Sequence, residues 1–187
     1  MHVNIRDLTD CSQTLRSVLV DMIKDGFEGT GSDYETLEGA KRPLEQLSGP
    51  GCIGRVAFSE VDSPIGLIGG LPCYHGHVFE LHPLVVAVQM RGRGVGRALV
   101  ADLEREASKR GASTLWLGSD DHNCRTSIGG FDLYPDVLAK LAVLRALRAH
   151  PFEFYRRVGF EVVGVLPDAN GLGKPDIFMA KRLNPVA

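Results

Sequence analysis

Arg91-Gly92-Arg93-Gly94-Val95-Gly96-Arg97 is the stretch that decides the fold. An apolar, β-branched run precedes it (Leu84, Val85, Val86, Val88), and Val95, Ala98, Leu99, Leu103 and Ala107 follow at helical spacing. The glycines therefore stand at a strand-to-helix junction. The first N–H groups of a helix lack internal partners and carry partial positive charge. Glycine removes the Cβ atoms that would hold a ligand away from those amides. Arg91, Arg93 and Arg97 add full charge, so the pattern predicts a phosphate or pyrophosphate site. Two nucleotide motifs are excluded. A G-x-G-x-x-G fingerprint needs glycine at 97 or 99, where Arg97 and Leu99 stand. A P-loop needs Lys and then Ser or Thr, and Arg97-Ala98 follows the last glycine instead.

The pattern that fits is Arg/Gln-x-x-Gly-x-Gly/Ala, here Arg91, Gly94 and Gly96. It resembles the acyl-CoA pyrophosphate loop of the GCN5-related N-acetyltransferases (GNAT). The resemblance implies acetyl-CoA as cosubstrate, held by Val86, Val88 and the run Arg91, Gly92, Arg93, Gly94, Val95, Gly96 and Arg97. The plainer alternative is a glycine-rich turn capping an ordinary helix.

The 187 residues carry 44% hydrophobic and 24% charged side chains and a net charge of −2, the profile of one globular domain, 1–187. That charge argues against nucleic acid as the main partner. A weakly acidic chain with one basic loop suits an anionic cofactor and a cationic second substrate. No apolar run approaches a membrane span, and Met1 to Asp7 lacks the apolar core of a signal peptide, so a cytoplasmic protein is expected. Cys11, Cys52, Cys73 and Cys124 are scattered with no C-x-x-C pair and read as reduced thiols. His75, His77 and His82 lack a companion carboxylate or thiolate set, so no metal is expected.

Along the chain, Val3–Leu8 alternates as a strand. Thr9 or Asp10 caps a helix with Leu15, Val18, Leu19, Met22 and Ile23 on one stripe. Ser32 or Asp33 caps a second helix to about Leu47. Strands follow at Cys52–Glu60, Ile65–Leu71 and Val78–Val88. Pro83 interrupts the last of these, which should bulge or splay there. After the glycine loop and its helix come a strand at Thr114–Leu117 and a polar loop from Gly118 to Tyr134. One helix should run from Pro135 to about Arg148, with a short helical piece at Phe152–Val158. Strands at Phe160–Leu166 and Asp176–Lys181 finish the chain. The order matches the GNAT fold: a mixed α/β architecture whose central, mostly antiparallel twisted sheet is splayed at the fourth strand and flanked by helices.

A second motif, Pro151-Phe152-Glu153-Phe154-Tyr155-Arg156-Arg157-Val158-Gly159-Phe160, resembles the family's late "aromatic-Tyr-x-x-x-Gly-Phe" helix and strand. More narrowly, several stretches look like the aminoglycoside 6′-N-acetyltransferases, enzymes of antibiotic resistance. They are Glu80-Leu81-His82-Pro83-Leu84, Gly118-Ser119-Asp120-Asp121, His150-Pro151-Phe152, and Pro167-Asp168-Ala169-Asn170-Gly171 with Lys174-Pro175-Asp176. Acetyl transfer from a thioester needs a neutral amine, a polarised carbonyl and a protonated leaving thiolate. The amide of Leu84, just past Pro83, is the expected oxyanion donor, and the resemblance implies the same position. The match places Tyr155 beside the cofactor sulfur as proton donor to the thiolate; its other reading is a core aromatic, as expected for Phe152, Phe154 and Phe160. Glu80 and His82, two apart, face one side of their strand and are expected to hold and deprotonate the acceptor ammonium, or else to form a structural pair. Asp120, Asp121, Asp136, Asp168 and Asp176 sit at loop ends as carboxylates for a polycationic substrate, or as caps and turn residues.

Three functions compete. The first is transfer to the 6′-amine of an aminoglycoside. The second keeps the chemistry but takes a polyamine, an amino-sugar metabolite or a protein amine. The third is a non-catalytic acyl-CoA-binding regulatory domain, which the presence of Tyr155, Glu80 and His82 argues against. A homodimer is expected, partly from resemblance and partly because Leu138, Leu141, Val143, Leu144 and Leu147 would cover more than one face of their helix.

Overall fold

A computed structural model describes residues 3–183. They group into two compact units, residues 3–115 with Leu183, and Trp116–Arg182.

In the first unit, strands β1 (Asn4–Asp7), β2 (Ile53–Phe58), β3 (Pro64–Cys73) and β4 (Val78–Val86) lie in that order, and each neighbouring pair is antiparallel. Helices α1 (Gln13–Phe27) and α2 (Leu37–Leu47) cover one face. Their caps differ from expectation. Ser12, not Thr9 or Asp10, accepts from the Leu15 amide, and Thr36 accepts from the Gly39 amide. Asp33 belongs instead to a single 3-10 turn ahead of α2. Leu19, Ile23, Leu44 and Leu47 from the helices meet Val56, Leu67 and Val85 from the sheet in one core. The other face receives α3 (Val95–Lys109). A side chain at Gly66 or Gly70 would run into Leu99 or Leu103 of α3, so the glycines in β3 let the helix lie close. Asp102, buried on α3, takes the Nε of Arg55 from β2 at 2.6 Å and also bonds Arg105.

Proline 83 does not break β4. Ile68 pairs with Leu84 and Gly70 with Leu81, so His82 and Pro83 together oppose the single residue Gly69. This is the bulge that a missing ladder donor predicts. A Cβ on Gly69 would come within 2.3 Å of the His82 carbonyl oxygen and 2.5 Å of Leu47. Burial still alternates along β4: Phe79, Leu81, Pro83 and Val85 are buried, while Glu80, His82, Leu84 and Val86 stay partly open.

The second unit orders its strands β5 (Thr114–Asp120, which begins in the first unit), β7 (Asp176–Arg182) and β6 (Glu161–Leu166). Here one expectation fails. Residues 135–148 do not form one helix. Helix α4 covers only Val137–Ala142, and α5 is Pro151–Arg157. The chain after α4 turns back to pair with the loop before it. Ser127 donates to the Arg145 carbonyl at 2.9 Å, and the Leu147 and Arg148 amides donate to the Arg125 carbonyl at 2.7 and 3.1 Å. Those bonds satisfy the backbone groups that a longer helix would have used, so tertiary pairing overrides local helix propensity. Leu144 is buried, whereas Leu138, Val143 and Leu147 are exposed. Of the five apolar residues expected on a two-faced helix, only Leu138, Val143 and Leu147 are exposed, and they do not share one helix.

No described helix is long and apolar enough to cross a membrane. The four cysteines are free thiols. Among the described residues no group of three His, Cys, Asp or Glu side chains gathers to hold a metal ion.

Gly69→Ala should cost about 1–3 kcal/mol of stability, because neither the His82 carbonyl nor Leu47 can yield without moving the bulge. Urea unfolding measures it, and an unchanged midpoint would remove the close approach from the account.

Candidate functional site

The glycine loop follows β4 directly. A 3-10 turn at Val88–Met90 leads into Gly92 and Gly94, whose φ angles of 74° and 87° belong to the left-handed region that glycine alone adopts cheaply. Gly94 is the N-cap of α3 and supplies no side-chain cap. Nothing lies within 4 Å of where a Cβ would stand on Gly92 or Gly94. The first-turn amides of a 15-residue helix thus open onto bare glycine backbone, with Arg93 and Arg97 exposed beside them. Such a cradle accepts an anion of pyrophosphate size. Arg91 is used differently. Its Nε donates to the Val86 carbonyl at 3.2 Å and its terminal nitrogen to the Gly26 carbonyl at 3.3 Å. It braces the loop between the end of β4 and the end of α1.

On β4, Glu80, His82 and Leu84 are all partly open, but the bulge divides them: Glu80, opposite Leu71, and His82 lie on the side of α1 and α2, and Leu84 lies on the side of α3. Leu84, opposite Ile68, is the first residue after the bulge. The hydroxyl of Tyr34 hydrogen-bonds Nε2 of His82. Sequence reasoning did not single out Tyr34, because its place at the start of a helical stretch carries no motif.

In the second unit, Tyr155 lies on α5, its ring edge-on to Phe154 and Phe160 at 5.3 and 5.7 Å. Phe152 and Phe160 are the core members, and Phe154 and Tyr155 are half-buried by area. Burial of the hydroxyl raises the Tyr155 pKa well above its ordinary value, so the phenol keeps its proton at any working pH. Helix α5 starts at His150, whose Nδ1 accepts from the Phe152 amide at 3.2 Å while Nε2 lies 3.1 Å from the Asp120 carbonyl. One nitrogen accepts and the other donates, which defines a neutral ring protonated at Nε2.

The five aspartates separate into two groups. The Asp121 side chain is fully buried. It accepts from the Arg125 amide at 2.6 Å, the Thr126 amide at 3.0 Å and the Thr126 hydroxyl at 2.7 Å, and it lies 3.8 Å from His150 Nε2. It folds the loop and leaves a soluble cation nothing to reach. Asp168, at φ 55°, accepts from the Gly173 amide at 2.7 Å and ties a turn. Asp120 is exposed, and Asp176 is half-buried with one carboxylate oxygen shut off from solvent. Trp116 and Asp120 alternate with the buried Leu115, Leu117 and Ser119, so they share one face of β5. Asp176 lies over Gly118 on that same face, since a Cβ there would come within 2.4 Å of its carboxylate. Trp116 packs edge-on against Phe178 at 5.8 Å, and Asn170 bonds the Asp120 carboxylate. Two carboxylates among aromatics make a surface for ammonium groups. Asp136 is exposed and makes no cap bond at the start of α4. Trp116, Phe178 and His150 are the residues that sequence reasoning missed here; Asn170 and His150 lay inside quoted motifs but carried no role.

Residues 18–126 match the family model described as acetyltransferase (GNAT) family. A crystal structure of an aminoglycoside 6′-N-acetyltransferase complexed with coenzyme A is 36% identical, with a TM-score of 0.87 over 98% of this chain and 99% of that one. The aminoglycoside 6′-N-acetyltransferase from Enterococcus faecium gives the same values. An aminoglycoside 6′-acetyltransferase type Ii is 30% identical at a TM-score of 0.71, covering both chains in full. A sequence search of curated proteins finds no match.

Burial depresses the His150 pKa below the ordinary 6.5, outweighing the nearby Asp121 carboxylate, which favours the charged form. The unfolded chain then takes up a proton that the fold refuses, so stability falls as pH drops below about 6.5. His150→Asn should flatten that part of the acid limb. Urea midpoints between pH 8 and pH 5 test this, and parallel curves for the variant and the wild type would contradict it.

Proposed function

Because the chain belongs to the GNAT acetyltransferase family, we propose that it is an aminoglycoside 6′-N-acetyltransferase that moves the acetyl group of acetyl-CoA to the 6′-amine of the antibiotic. The observation that carries the reading is 36% identity over 98% of the chain to a protein of that description. The carboxylate and aromatic face of the second unit supports a polycationic acceptor.

In this reading the pyrophosphate lies on the amides of residues 92–97 with Arg93 and Arg97, while Arg91 holds the loop in place. Val86 and Val88, on the approach to the loop, complete the cofactor set. Glu80 holds the acceptor ammonium and takes its proton, with His82 beside it on the same face. The Leu84 amide donates to the thioester oxygen as negative charge develops there. As the amine nitrogen bonds the acetyl carbon and the carbon–sulfur bond breaks, Tyr155 supplies a proton to the leaving thiolate and recovers one from solvent. With its pKa raised by burial the phenol starts protonated, as a general acid must. Asp120, Asp176 and Asp136 are the acceptor carboxylates. Asp121 and Asp168 leave that set because their side chains are committed to loops. Acetyl-CoA dependence and free thiols both fit a cytoplasmic enzyme.

Thiol release from acetyl-CoA should be fast with kanamycin and slow with spermidine or a lysine peptide. A lysine ammonium engages one carboxylate at a time, and a flexible polyamine loses more conformational entropy in engaging several than a rigid charged sugar does. Turnover of spermidine or peptide with none of kanamycin would move the activity to another amine.

Tyr155→Phe should lower kcat by roughly 10- to 1000-fold with little change in acetyl-CoA affinity, because it removes only a proton donor. Wild-type turnover would take Tyr155 out of the mechanism.

We also propose a homodimer, now on the exposed set Leu138, Val143 and Leu147 rather than on a two-faced helix. Sedimentation at micromolar concentration should give about twice the 20.3 kDa chain mass. A single species at the chain mass would refute it.

A further inference from the structure

The connection between α1 and α2 reaches β4 through the side chain of Tyr34. Phe27 ends α1, and its ring stands edge-on to Tyr34 at 4.9 Å. Between them the backbone is bound by its own side chains. The Thr30 hydroxyl donates to the Phe27 carbonyl at 2.6 Å, the Ser32 amide to the Thr30 hydroxyl at 3.3 Å, and the Tyr34 amide to the Ser32 hydroxyl at 3.3 Å. Glu35 accepts from the Gly31 amide at 2.7 Å. The segment's first end is fixed as well. A Cβ on Gly26 would come within 2.3 Å of Val85, and the Gly26 carbonyl takes the Arg91 guanidinium. Tyr34 is therefore delivered by a fixed turn rather than by a loose loop. Its hydroxyl meets Nε2 of His82, with ring centroids 5.8 Å apart and planes at 50°.

An imidazole has two ring nitrogens, and the partner of one fixes both its orientation and its tautomer. On a strand face that also carries Glu80, an untethered His82 ring would sample several rotamers. We propose that Tyr34 is a positioning residue for the transfer reaction: it holds the His82 imidazole in the one orientation and protonation pattern in which the ring serves the acceptor amine. This rests on the reading of His82 as an acceptor-side residue. Tyr34 acts through His82 and touches no reacting atom itself. Replacing it by Phe keeps the edge contact with Phe27 and removes only the hydroxyl, so the core stays intact.

The test has two arms. In the first, the 15N shifts and titration of the His82 ring are read by NMR in the whole protein and in Tyr34→Phe, with no acceptor present. The ring pKa and tautomer balance should change in the variant. Identical titrations would overturn the inference, whatever the enzyme acetylates. In the second, Tyr34→Phe, His82→Gln and the double variant are compared using acetyl-CoA and whichever amine the wild type turns over fastest. Tyr34→Phe should lower kcat/KM for the amine by about 5- to 50-fold and displace its pH profile, leaving the KM for acetyl-CoA within about twofold. The double variant should be no worse than His82→Gln alone, the mark of two residues acting as one. Additive losses, or a His82→Gln variant with wild-type activity, would overturn the positioning role. An active wild type that ignores aminoglycosides would overturn the acceptor assignment alone.

Discussion

The structure turns on the close approach of the His82 carbonyl to Gly69. A proline inside a strand cannot donate to the ladder, and a strand with that gap either ends or bulges. Here β4 bulges, two residues against one, and continues to Val86. The continuation matters because the glycine loop at the start of α3 begins within a few residues of that end. The extra residue also turns the strand over, so Glu80 and His82 lie on the α1 and α2 side of the sheet and Leu84 on the α3 side. Gly69 is the condition for all of this, since only a residue without Cβ lets the bulged strand sit down on β3. The glycines at 66 and 70 answer a different demand, the packing of α3, so one glycine-rich strand serves both of its faces.

The second unit adds a buried polar network to its apolar core of Leu117, Phe152, Phe160, Ile177 and Met179. His150 caps α5, the helix that carries Tyr155, and bonds the end of β5. Asp121 folds the following loop from within. Buried polar groups are stable only when their partners are complete, and these are. The division of labour among the aspartates follows. Two adjacent residues, Asp120 and Asp121, point to opposite sides of a strand end. One is spent inside, and the other stands on a face with Trp116 and Asp176.

Much of this was legible in the sequence. The alternation Glu80–Val86, the glycine loop and the apolar stripe of α3 specify their own local structure, and Pro83 announces its bulge. What the sequence hid are pairings over distance. The end of the supposed long helix, Val143–Arg148, carries good helix formers, and only the loop at Arg125–Ser127 diverts it. Asp121 and Asp120 look alike until one of them is found buried. Tyr34 meets His82 across 48 positions of chain, with no spacing rule to reveal it. Arg91 has the charge expected of a phosphate ligand, yet its bonds go to two backbone carbonyls.

The account as a whole claims one regiochemistry. The most direct measurement is two-dimensional NMR of kanamycin after complete reaction with acetyl-CoA and this protein. The account predicts a single new acetamide, on the 6′-nitrogen. An acetyl group on any other nitrogen, or an unmodified antibiotic, would contradict it.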